Sequence, residues 1–465
     1  MSLLKSAATV SGLTLVSRIT GVIRDMLIAR YFGAGAETDA FYVAFRLPNM
    51  LRRLFAEGAF QQAFVPMLSD VRETSSRERS KAFVDHVFTV LAAAVLLASV
   101  LGVLLSPLLV WAIASGMRED PAAYTLAVGL TRVMFPYIAF MSLVALAASV
   151  LNTLKHFAVP AFTPVLLNLS FIAATLFLAP MLEEPIWALA AGVMAGGVLQ
   201  LMVQVIALRR LGVKLRPRGW RESIGDEAVR RVLKLMVPAL FGVGVAQLSI
   251  LINTNIASWL GAGAVTWLNY ADRLMEFPTA LLGVALGTVM LPGLSAAHAK
   301  GDAERYNALL DHGLRLVLLV GVPASIGLWL TADALVAFLF QGRSFTAADV
   351  SQTALAVTGY AVVLLCEGGS DRPHCAQNHR ARLLRPQGHP HAGARGLRVP
   401  GRRAVGEPRL RAALRACGVG ALGRDRELRE RLDASHAPHA PRDLQALDRL
   451  GRLRASHRRR HGLDG

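Results

Sequence analysis

The feature that most constrains this chain is a series of nine apolar segments, each close to the length of a bilayer-spanning helix. One crossing needs about 20 mainly apolar residues. The segments cover residues 7–32, 38–66, 87–114, 124–153, 157–180, 185–208, 232–258, 264–293 and 314–340. A tenth begins near Ser351 and stops at Cys366. We therefore expect an all-α polytopic membrane protein.

The basic residues between these segments alternate from one side to the other. The N-terminus and the even-numbered loops hold 16 Lys and Arg residues, whereas the odd-numbered loops hold only Arg118 and Arg343. Cytoplasmic loops of membrane proteins collect Lys and Arg. The pattern predicts a multi-pass protein of the bacterial inner membrane with a cytoplasmic N-terminus. A soluble helical bundle has no reason to alternate in this way.

Two short motifs return later in the chain. Residues 32–36 (Phe-Gly-Ala-Gly-Ala) match residues 260–264 (Leu-Gly-Ala-Gly-Ala) at an offset of 228. Val65-Pro66-Met67-Leu68-Ser69 matches Leu291-Pro292-Gly293-Leu294-Ser295 at an offset of 226. Six segments separate the copies, so both halves share one orientation. Such parallel repeats are typical of alternating-access transporters. We expect two helical lobes around a central cavity.

The predicted organisation has four parts. They are an N-terminal lobe of six transmembrane helices (1–208), a basic cytoplasmic linker (209–231), a partial C-terminal lobe of three helices and a truncated fourth (232–366), and an Arg-rich tail (367–465). The second lobe is therefore expected to be incomplete.

Several arginines lie inside the apolar segments, where a lipid-facing Arg costs about 2.5–3.5 kcal/mol on the lenient insertion scale. Arg46, Arg53 and Arg315 are expected to join helices or to extend to the interface. The residues favoured for function are Arg18, Arg24, Arg52 and Arg273. Their guanidinium groups match phosphate oxygens in a bidentate geometry.

The positive charge of some of these arginines can be paired with a nearby carboxylate. Asp25 lies seven residues after Arg18, on the same helix face, and is the expected partner of Arg18. Arg24 is adjacent to Asp25 and is expected to point about 100° away from it. We expect Arg24 to be the least compensated of the deep arginines.

The chain has no signature of an enzyme. It carries no Walker loop, HExxH or GxSxG motif, and its three cysteines have no metal-ligand spacing. We expect no catalytic residue, no bound metal and no cofactor, and leave open whether a coupling ion or the membrane potential drives transport. No nucleic-acid partner is expected, and the protein is expected to be a monomer.

The motifs of the first two, the fifth and the eighth segments resemble those of the MurJ (MviN) lipid II flippases of the multidrug/oligosaccharidyl-lipid/polysaccharide exporter superfamily. The motifs that carry the resemblance are Ser17-Arg18 with Gly21 to Asp25, Phe32 to Phe41, Leu47-Pro48-Asn49 to Arg53, Phe55 to Phe60, Ala63 to Pro66, Pro160-Ala161-Phe162 and Tyr270 to Pro278. The resemblance runs from Met1 to about residue 364.

This resemblance implies a central cavity, alternating access and export of lipid II, the undecaprenyl-pyrophosphate-linked peptidoglycan precursor. It implies substrate contacts at Arg18, Arg24, Arg52, Arg273 and the acidic Asp39. Supporting or gating positions follow with weaker claims: Ser17, Asp25, Asn49, Glu57, Asp272 and Glu276. The alternatives left open are a polysaccharide-lipid flippase or an ion-coupled drug antiporter of the same fold.

The tail departs from this pattern. Residues 367–465 contain 22 Arg but no Lys, Ile, Phe, Tyr, Trp, Met or Thr. Shifting residues 157–180 by the repeat offset reaches 385–408, which should be apolar but includes Arg385-Pro386-Gln387-Gly388-His389. We interpret the tail as a frameshifted, disordered sequence. The alternative is an Arg-rich arm for RNA or anionic lipid headgroups. If the tail is frameshifted, it is left open whether the chain as it stands is a transporter or an inactive product.

Overall fold

The computed structural model describes residues 3–53 and 60–369, and these residues form α-helices with short connections and no strands. The helices are α1 (Leu3–Phe32), α2 (Ala36–Leu51), α3 (Phe60–Thr74), α4 (Arg77–Leu104), α5 (Ser106–Ile113), α6 (Pro121–Met134), α7 (Tyr137–Thr153), α8 (Ala158–Ala173), α9 (Trp187–Arg210), α10 (Trp220–Gly225), α11 (Glu227–Ser258), α12 (Ala264–Ala299), α13 (Ala303–Phe340) and α14 (Ala347–Gly369). The all-α prediction is confirmed.

The described parts of every apolar segment are helical. The segment 38–66 contains α2 and α3 on either side of residues 54–59, which lie outside the described residues. Two other segments contain a break where a proline lies. The segment 124–153 divides into α6 and α7 around Pro136, and the segment 87–114 divides into α4 and α5 just before Pro107. Proline has no N–H to donate to the preceding turn, so it interrupts a helix. The segment 157–180 ends differently, since α8 continues through a π-helical stretch at Ala174–Leu178.

Five helical stretches among the described residues are long and apolar enough to cross a membrane. They are Arg77–Leu104, Pro121–Thr153, Ala158–Met181, Trp187–Arg210 and Ala303–Phe340. Helices α1, α2 and α12 differ from these because they carry the arginines and acids that were found in the sequence. The charged helices are therefore the ones expected near the centre of the molecule.

The internal repeat is visible in the backbone. Gly33 and Gly261 occupy equivalent positions in the turns before α2 and α12. Both have left-handed φ angles, 72° and 104°. This conformation strains side chains other than glycine. Helices α2 and α12 then begin at Ala36 and Ala264, which are 228 positions apart.

Packing also repeats between the lobes. In the N-terminal lobe α2 packs against α6, and in the C-terminal lobe α12 packs against α14, as the repeat requires. The two lobes meet along α2 and α12, whose buried faces belong to one apolar cluster that includes Phe41, Tyr42, Tyr270 and Ala271. The charged helices thus lie where the lobes join.

The segment between the lobes is anchored on α4. Within residues 209–231 the chain forms α10 and then begins α11, whose N-cap is Asp226. Arg79 of α4 donates a 2.6 Å hydrogen bond to Asp226. The backbone N–H of Arg216 donates to the buried carboxylate of Asp85 at 3.0 Å. The predictions made for residues 370–465 lie outside the described residues.

Candidate functional site

Two adjoining cavities lie between the lobes. Their volumes are about 870 Å³ and about 270 Å³. Both are lined by residues of α1, α2 and α12, and the residues common to both are Arg24, Asp25, Phe45, Asn49, Arg53, Arg273 and Glu276. The shared lining makes them two parts of one site, which matches the central cavity expected from the repeat.

Positive charge exceeds negative charge around this site. Among the described lining residues there are six arginines and three acids. They are Arg18, Arg24, Arg46, Arg52, Arg53, Arg273, Asp25, Asp272 and Glu276. A surplus of guanidinium groups in a membrane-embedded cavity is costly unless water or an anion compensates it. The site is therefore suited to an anionic ligand with several oxygen acceptors.

Arg24 is the most fully held arginine of the site, which corrects the expectation that it would be the least compensated. Its Nη2 atom lies 2.6 Å from Oδ1 of Asp25, and its Nη1 donates to Oδ1 of Asn168 at 3.0 Å. The guanidinium also lies over the ring of Phe171, 5.3 Å from its centre. The expectation was wrong because a long arginine side chain can fold back to an adjacent residue.

Asp25 joins the two lobes instead of pairing with Arg18. Its Oδ2 atom lies 3.5 Å from Nε of Arg273 on α12. Arg273 also donates to Glu276 at 3.1 Å, and Glu276 in turn accepts from Arg53 at 3.2 Å. The result is a chain of alternating charges from α1 to α12 and back to the end of α2.

Arg46 provides a further link between the lobes. Its Nη1 lies 3.7 Å from Asp272, and its Nε donates to Thr254 of α11 at 3.0 Å. Its Nη2 is buried and has no hydrogen-bond partner. The expectation that Arg46 and Arg53 join helices agrees with these contacts, whereas Arg315 pairs with Asp311 on the exposed surface of α13.

Arg18 and Arg52 line the larger cavity with Ser17. Arg18 is exposed and forms no ion pair with any described residue, so the expected pair with Asp25 is absent from the described structure. Nε of Arg52 donates to Asn49 at 3.1 Å. Arg18 therefore presents its positive charge to the larger cavity.

Asp39 lies away from the cavities. Its buried carboxylate accepts hydrogen bonds from the backbone N–H groups of Gly263 and Thr266 and from the Thr266 hydroxyl, at 2.6–2.8 Å. These bonds cap the N-terminus of α12, where a carboxylate also complements the helix dipole. Asp39 lines neither cavity, so the substrate contact expected of it has no support in this geometry. Glu57 lies outside the described residues.

Sequence analysis did not identify the neutral polar residues of the site, such as those that hydrogen-bond to its arginines. Asn168 is buried, accepts from Arg24, and donates to the Ser17 carbonyl and the Thr20 hydroxyl at 2.9 and 3.1 Å. A polar residue in the middle of an apolar segment was the signal that could have identified it. Tyr42 and Tyr270 were also missed, although they occupy equivalent positions of the repeat.

The acids of the site are already engaged by arginines. Asp25, Asp272 and Glu276 each lie within 4 Å of at least one guanidinium nitrogen. Across the parts of the chain that the structure describes, no group of three or more His, Cys, Asp or Glu side chains could hold a metal ion. The chemistry of the site thus lies in its guanidinium groups.

Comparison with known proteins gives a consistent result. The profile of the family described as "Lipid II flippase MurJ" matches residues 28–367. A protein of Burkholderia cenocepacia named "Lipid II flippase MurJ" is 53% identical over 366 residues, which cover 78% of this chain and 71% of that protein. The family match ends where the composition of the chain changes.

Solved structures agree with the fold. A structure described as "Lipid II flippase MurJ, inward closed conformation" superposes with a TM-score of 0.66 at 28% identity, covering 77% of this chain and 73% of that one. An inward-facing transporter of the multidrug resistance MATE family superposes with a TM-score of 0.59, covering 78% and 82%. At 13% identity the second likeness concerns the fold alone.

Proposed function

The chain belongs to the lipid II flippase MurJ family, and we propose that the arginines of the two connected cavities hold the pyrophosphate of lipid II during its transfer between leaflets. The activity we assign is movement of this lipid-linked peptidoglycan precursor from the cytoplasmic to the periplasmic leaflet by a chain whose C-terminal part is in frame. The protein is a multi-pass membrane transporter of a family that contains flippases rather than catalytic enzymes.

The observation that carries the pyrophosphate assignment is the surplus of six arginines over three acids around one site. A pyrophosphate diester offers several anionic oxygens to guanidinium forks. Two nitrogens of Arg24 are bound to the carboxylate of Asp25. Nitrogens of Arg273 are bound to Asp25 and Glu276. On substrate binding these nitrogens would exchange carboxylate oxygens for phosphate oxygens. The arginines keep a charged acceptor during this exchange, whereas Asp25 and Glu276 keep only the guanidinium nitrogens that the phosphate oxygens do not take.

The same exchange couples binding to movement of the lobes. Asp25–Arg273, Arg46–Asp272 and Arg53–Glu276 all connect the N-terminal lobe to α12. An anion that takes Arg273 from Asp25 weakens the first of these connections. A ligand shifts a conformational equilibrium only through such a difference in contacts between two states.

The remaining features of the proposal follow from the sequence. We propose that the N-terminus is cytoplasmic, as the basic loops indicate, and that a monomer acts on lipid II without a bound cofactor or nucleic acid. Coupling to an ion or to the membrane potential is compatible with this site. The tail after residue 366 is proposed to come from a frameshift, and the gene sequence around codons 360–370 tests that directly.

A drug-cation antiporter of the same fold is less well supported. A cavity for organic cations should present acids in excess, whereas here the acids are fewer than the arginines and are paired with them. A polysaccharide-lipid flippase would also bind an anionic lipid-linked group. The charge of the cavity therefore does not distinguish it from a lipid II flippase, and only the identity of the transported substrate does.

Complementation tests the function. Residues 1–364 of this chain are joined to the matching C-terminal part of the Burkholderia cenocepacia protein and expressed in a strain depleted of its own lipid II flippase. The full 465-residue chain is expressed in parallel. We expect the chimera to restore growth. Failure of a chimera that reaches the membrane at normal level would contradict the assignment. Rescue by the full chain would show that transport does not need the C-terminal part that this chain lacks.

A further inference from the structure

One wall of the larger central cavity carries no charge. This wall is formed by α7, α8 and α9, and none of the described residues that line it is charged. The charged residues of the cavity lie instead on α1, on α12 and just after α2. The neutral polar side chains of the wall are Thr163, Asn168, Gln200 and Gln204, with Tyr137. A ligand that fills the cavity therefore meets cations on one side and uncharged polar groups on the other.

Two glutamines interrupt the apolar sequence of α9. From Ala188 to Leu208, every residue other than Gln200 and Gln204 is apolar or glycine. The two glutamines are four positions apart, so they share one face of the helix. Both are buried, with exposed fractions of 2% and 0%. A polar atom buried in such a place lowers the stability of the fold unless it is hydrogen-bonded.

Only the N–H side of each amide is engaged. Nε2 of Gln200 donates to the Thr163 carbonyl at 2.9 Å, and Nε2 of Gln204 donates to the Thr163 hydroxyl at 2.8 Å. A carbonyl can only accept, and the hydroxyl already donates to the Val159 carbonyl at 2.9 Å, so both amides must turn their N–H groups to Thr163. The two amide oxygens are buried and accept no hydrogen bond from any described residue. The contact with α8 thus uses half of each amide.

This pair of glutamines lies beside the residues that hold Arg24. Asn168 accepts from Arg24 at 3.0 Å, and Thr163 lies five residues before Asn168 on α8, which is about 7.5 Å along the helix. Arg24, Asn168 and both glutamines line the same cavity. The pyrophosphate of lipid II is joined directly to an N-acetylated sugar. The hydroxyl and acetamido groups of that sugar are uncharged donors, which suit amide oxygens.

We propose that Gln200 and Gln204 form a subsite for the sugar next to the pyrophosphate, by accepting hydrogen bonds from its hydroxyl or acetamido groups. This inference rests on the proposed binding of the pyrophosphate to the arginines, and it adds the residues that distinguish a sugar-bearing lipid from other lipid pyrophosphates. Both oxygens are covered in this structure, so binding includes a small rotation of each side chain towards the cavity. The sugar then supplies the donors that these two buried acceptors lack within the described chain.

Binding of two lipids to the full-length chain in nanodiscs tests the proposal. The probes are undecaprenyl pyrophosphate and the same lipid carrying one N-acetylglucosamine. The variants are Gln200→Met and Gln204→Met, made singly, because methionine is unbranched and fills the space without an amide. Gln352→Met is the matched control, since Gln352 is exposed on α14 and lines neither central cavity. The ratio of the two affinities is measured within each variant, and thermal melting checks that each variant folds.

We expect the parent chain and the control to bind the sugar-bearing lipid more tightly than undecaprenyl pyrophosphate. Gln200→Met and Gln204→Met should each lower the affinity for the sugar-bearing lipid about fivefold, which is the contribution of one neutral hydrogen bond. Their affinity for undecaprenyl pyrophosphate should stay at the parental value. An equal loss for both lipids, as a purely structural role would give, or no loss for either, would overturn the subsite.

Arg24→Lys, measured with the same two lipids, separates this inference from the proposed function. It should weaken both lipids by the same factor, because both carry the pyrophosphate. Parental affinity of Arg24→Lys for both lipids, together with a selective loss in the glutamine variants, would contradict the pyrophosphate assignment and support the sugar subsite. A sugar that adds no affinity in the parent chain would overturn the subsite, whatever Arg24→Lys does.

Discussion

The hydroxyl of Tyr42 donates a hydrogen bond of 3.1 Å to the hydroxyl of Tyr270, and the two residues are 228 positions apart, which is the offset of the sequence repeat. Both side chains are buried, and their rings meet edge to face with centres 5.9 Å apart. A residue that contacts its own repeat equivalent must lie on the axis that relates the lobes. The tyrosine pair therefore marks the pseudo-twofold axis beside the charged cavities.

Removing both hydroxyls of this pair should lower the free energy of unfolding by less than the sum of the two single removals. Tyr42→Phe and Tyr270→Phe each leave a buried hydroxyl without its partner, which is expected to lower the free energy of unfolding by about 1–3 kcal/mol. The double variant should cost less than the sum, as a double-mutant cycle in denaturant measures. Additive costs would contradict the pairing. Tyr31→Phe, at an exposed position, is the control.

Asn168 is expected to position Arg24. Asn168→Ala removes the acceptor of Arg24 Nη1 and two donors to α1, so both stability and transport should fall. Asn168→Asp keeps the acceptor and adds a negative charge about 3.0 Å from Arg24. The chimera carrying it should reach the membrane yet fail to rescue growth, because the carboxylate competes with the pyrophosphate. Full rescue by Asn168→Asp would refute a positioning role.

The lobes also approach each other closely at the end of α11. A Cβ atom added to Gly116 would lie 2.4 Å from the Ser258 carbonyl oxygen, and one added to Gly33 would lie 2.3 Å from the carbonyl oxygen of Ser344, which is the repeat equivalent of Gly116. The backbone cannot accommodate a contact under 3.0 Å without moving. Each of these glycines thus allows a close backbone contact between the lobes.

Gly116→Ala is therefore expected to separate the lobes at this end. A cysteine introduced at Ser258, in a chain whose three native cysteines are replaced by serine, should react faster with a membrane-impermeant maleimide. Gly327→Ala is the matched control, because a Cβ added there meets nothing within 4 Å. Equal labelling rates in the two variants would show that the contact does not hold the lobes together.

Much of this architecture could be predicted from the sequence, because apolar length, basic loops and the repeat are local or periodic signals. Proline alone does not locate the helix breaks, because Pro107 and Pro136 lie at breaks whereas Pro48, Pro66, Pro164, Pro238 and Pro323 lie inside helices. The ion pairs could not be predicted, since spacing along a helix shows which residues share a face but not which residue of another helix meets that face. Asp25 accordingly binds Arg24 and Arg273 rather than Arg18.

The linker that precedes α11 should respond to acid. Burial opposes ionisation of Asp226, but the hydrogen bonds from Arg79 and from the N-terminal N–H groups of α11 outweigh it, so the pKa of Asp226 is lowered. A lowered pKa stabilises the fold above the unfolded value of about 3.9, and this stabilisation is lost as the pH falls through the lower folded value.

Asp226→Asn keeps a capping side chain but removes this charge. The melting temperature of the variant should lie below that of the parent chain by a constant amount between pH 8 and pH 5, and the two should converge below about pH 4. A difference that persists unchanged to pH 3 would show that the ionised carboxylate is not what stabilises the junction. Asp302→Asn is the control, because it changes the N-cap of α13 and no described residue forms an ion pair with Asp302.

The central claim is that the guanidinium forks of Arg24 and Arg273 bind the pyrophosphate of lipid II. Equilibrium binding of lipid II to the full-length chain in nanodiscs tests it most directly, with Arg24→Lys and Arg273→Lys compared with Arg315→Lys on the outer surface of α13. The account predicts at least a tenfold loss of affinity for each of the first two variants, because lysine retains charge but lacks the fork. It predicts parental affinity for Arg315→Lys. Parental affinity in Arg24→Lys and Arg273→Lys as well would contradict it.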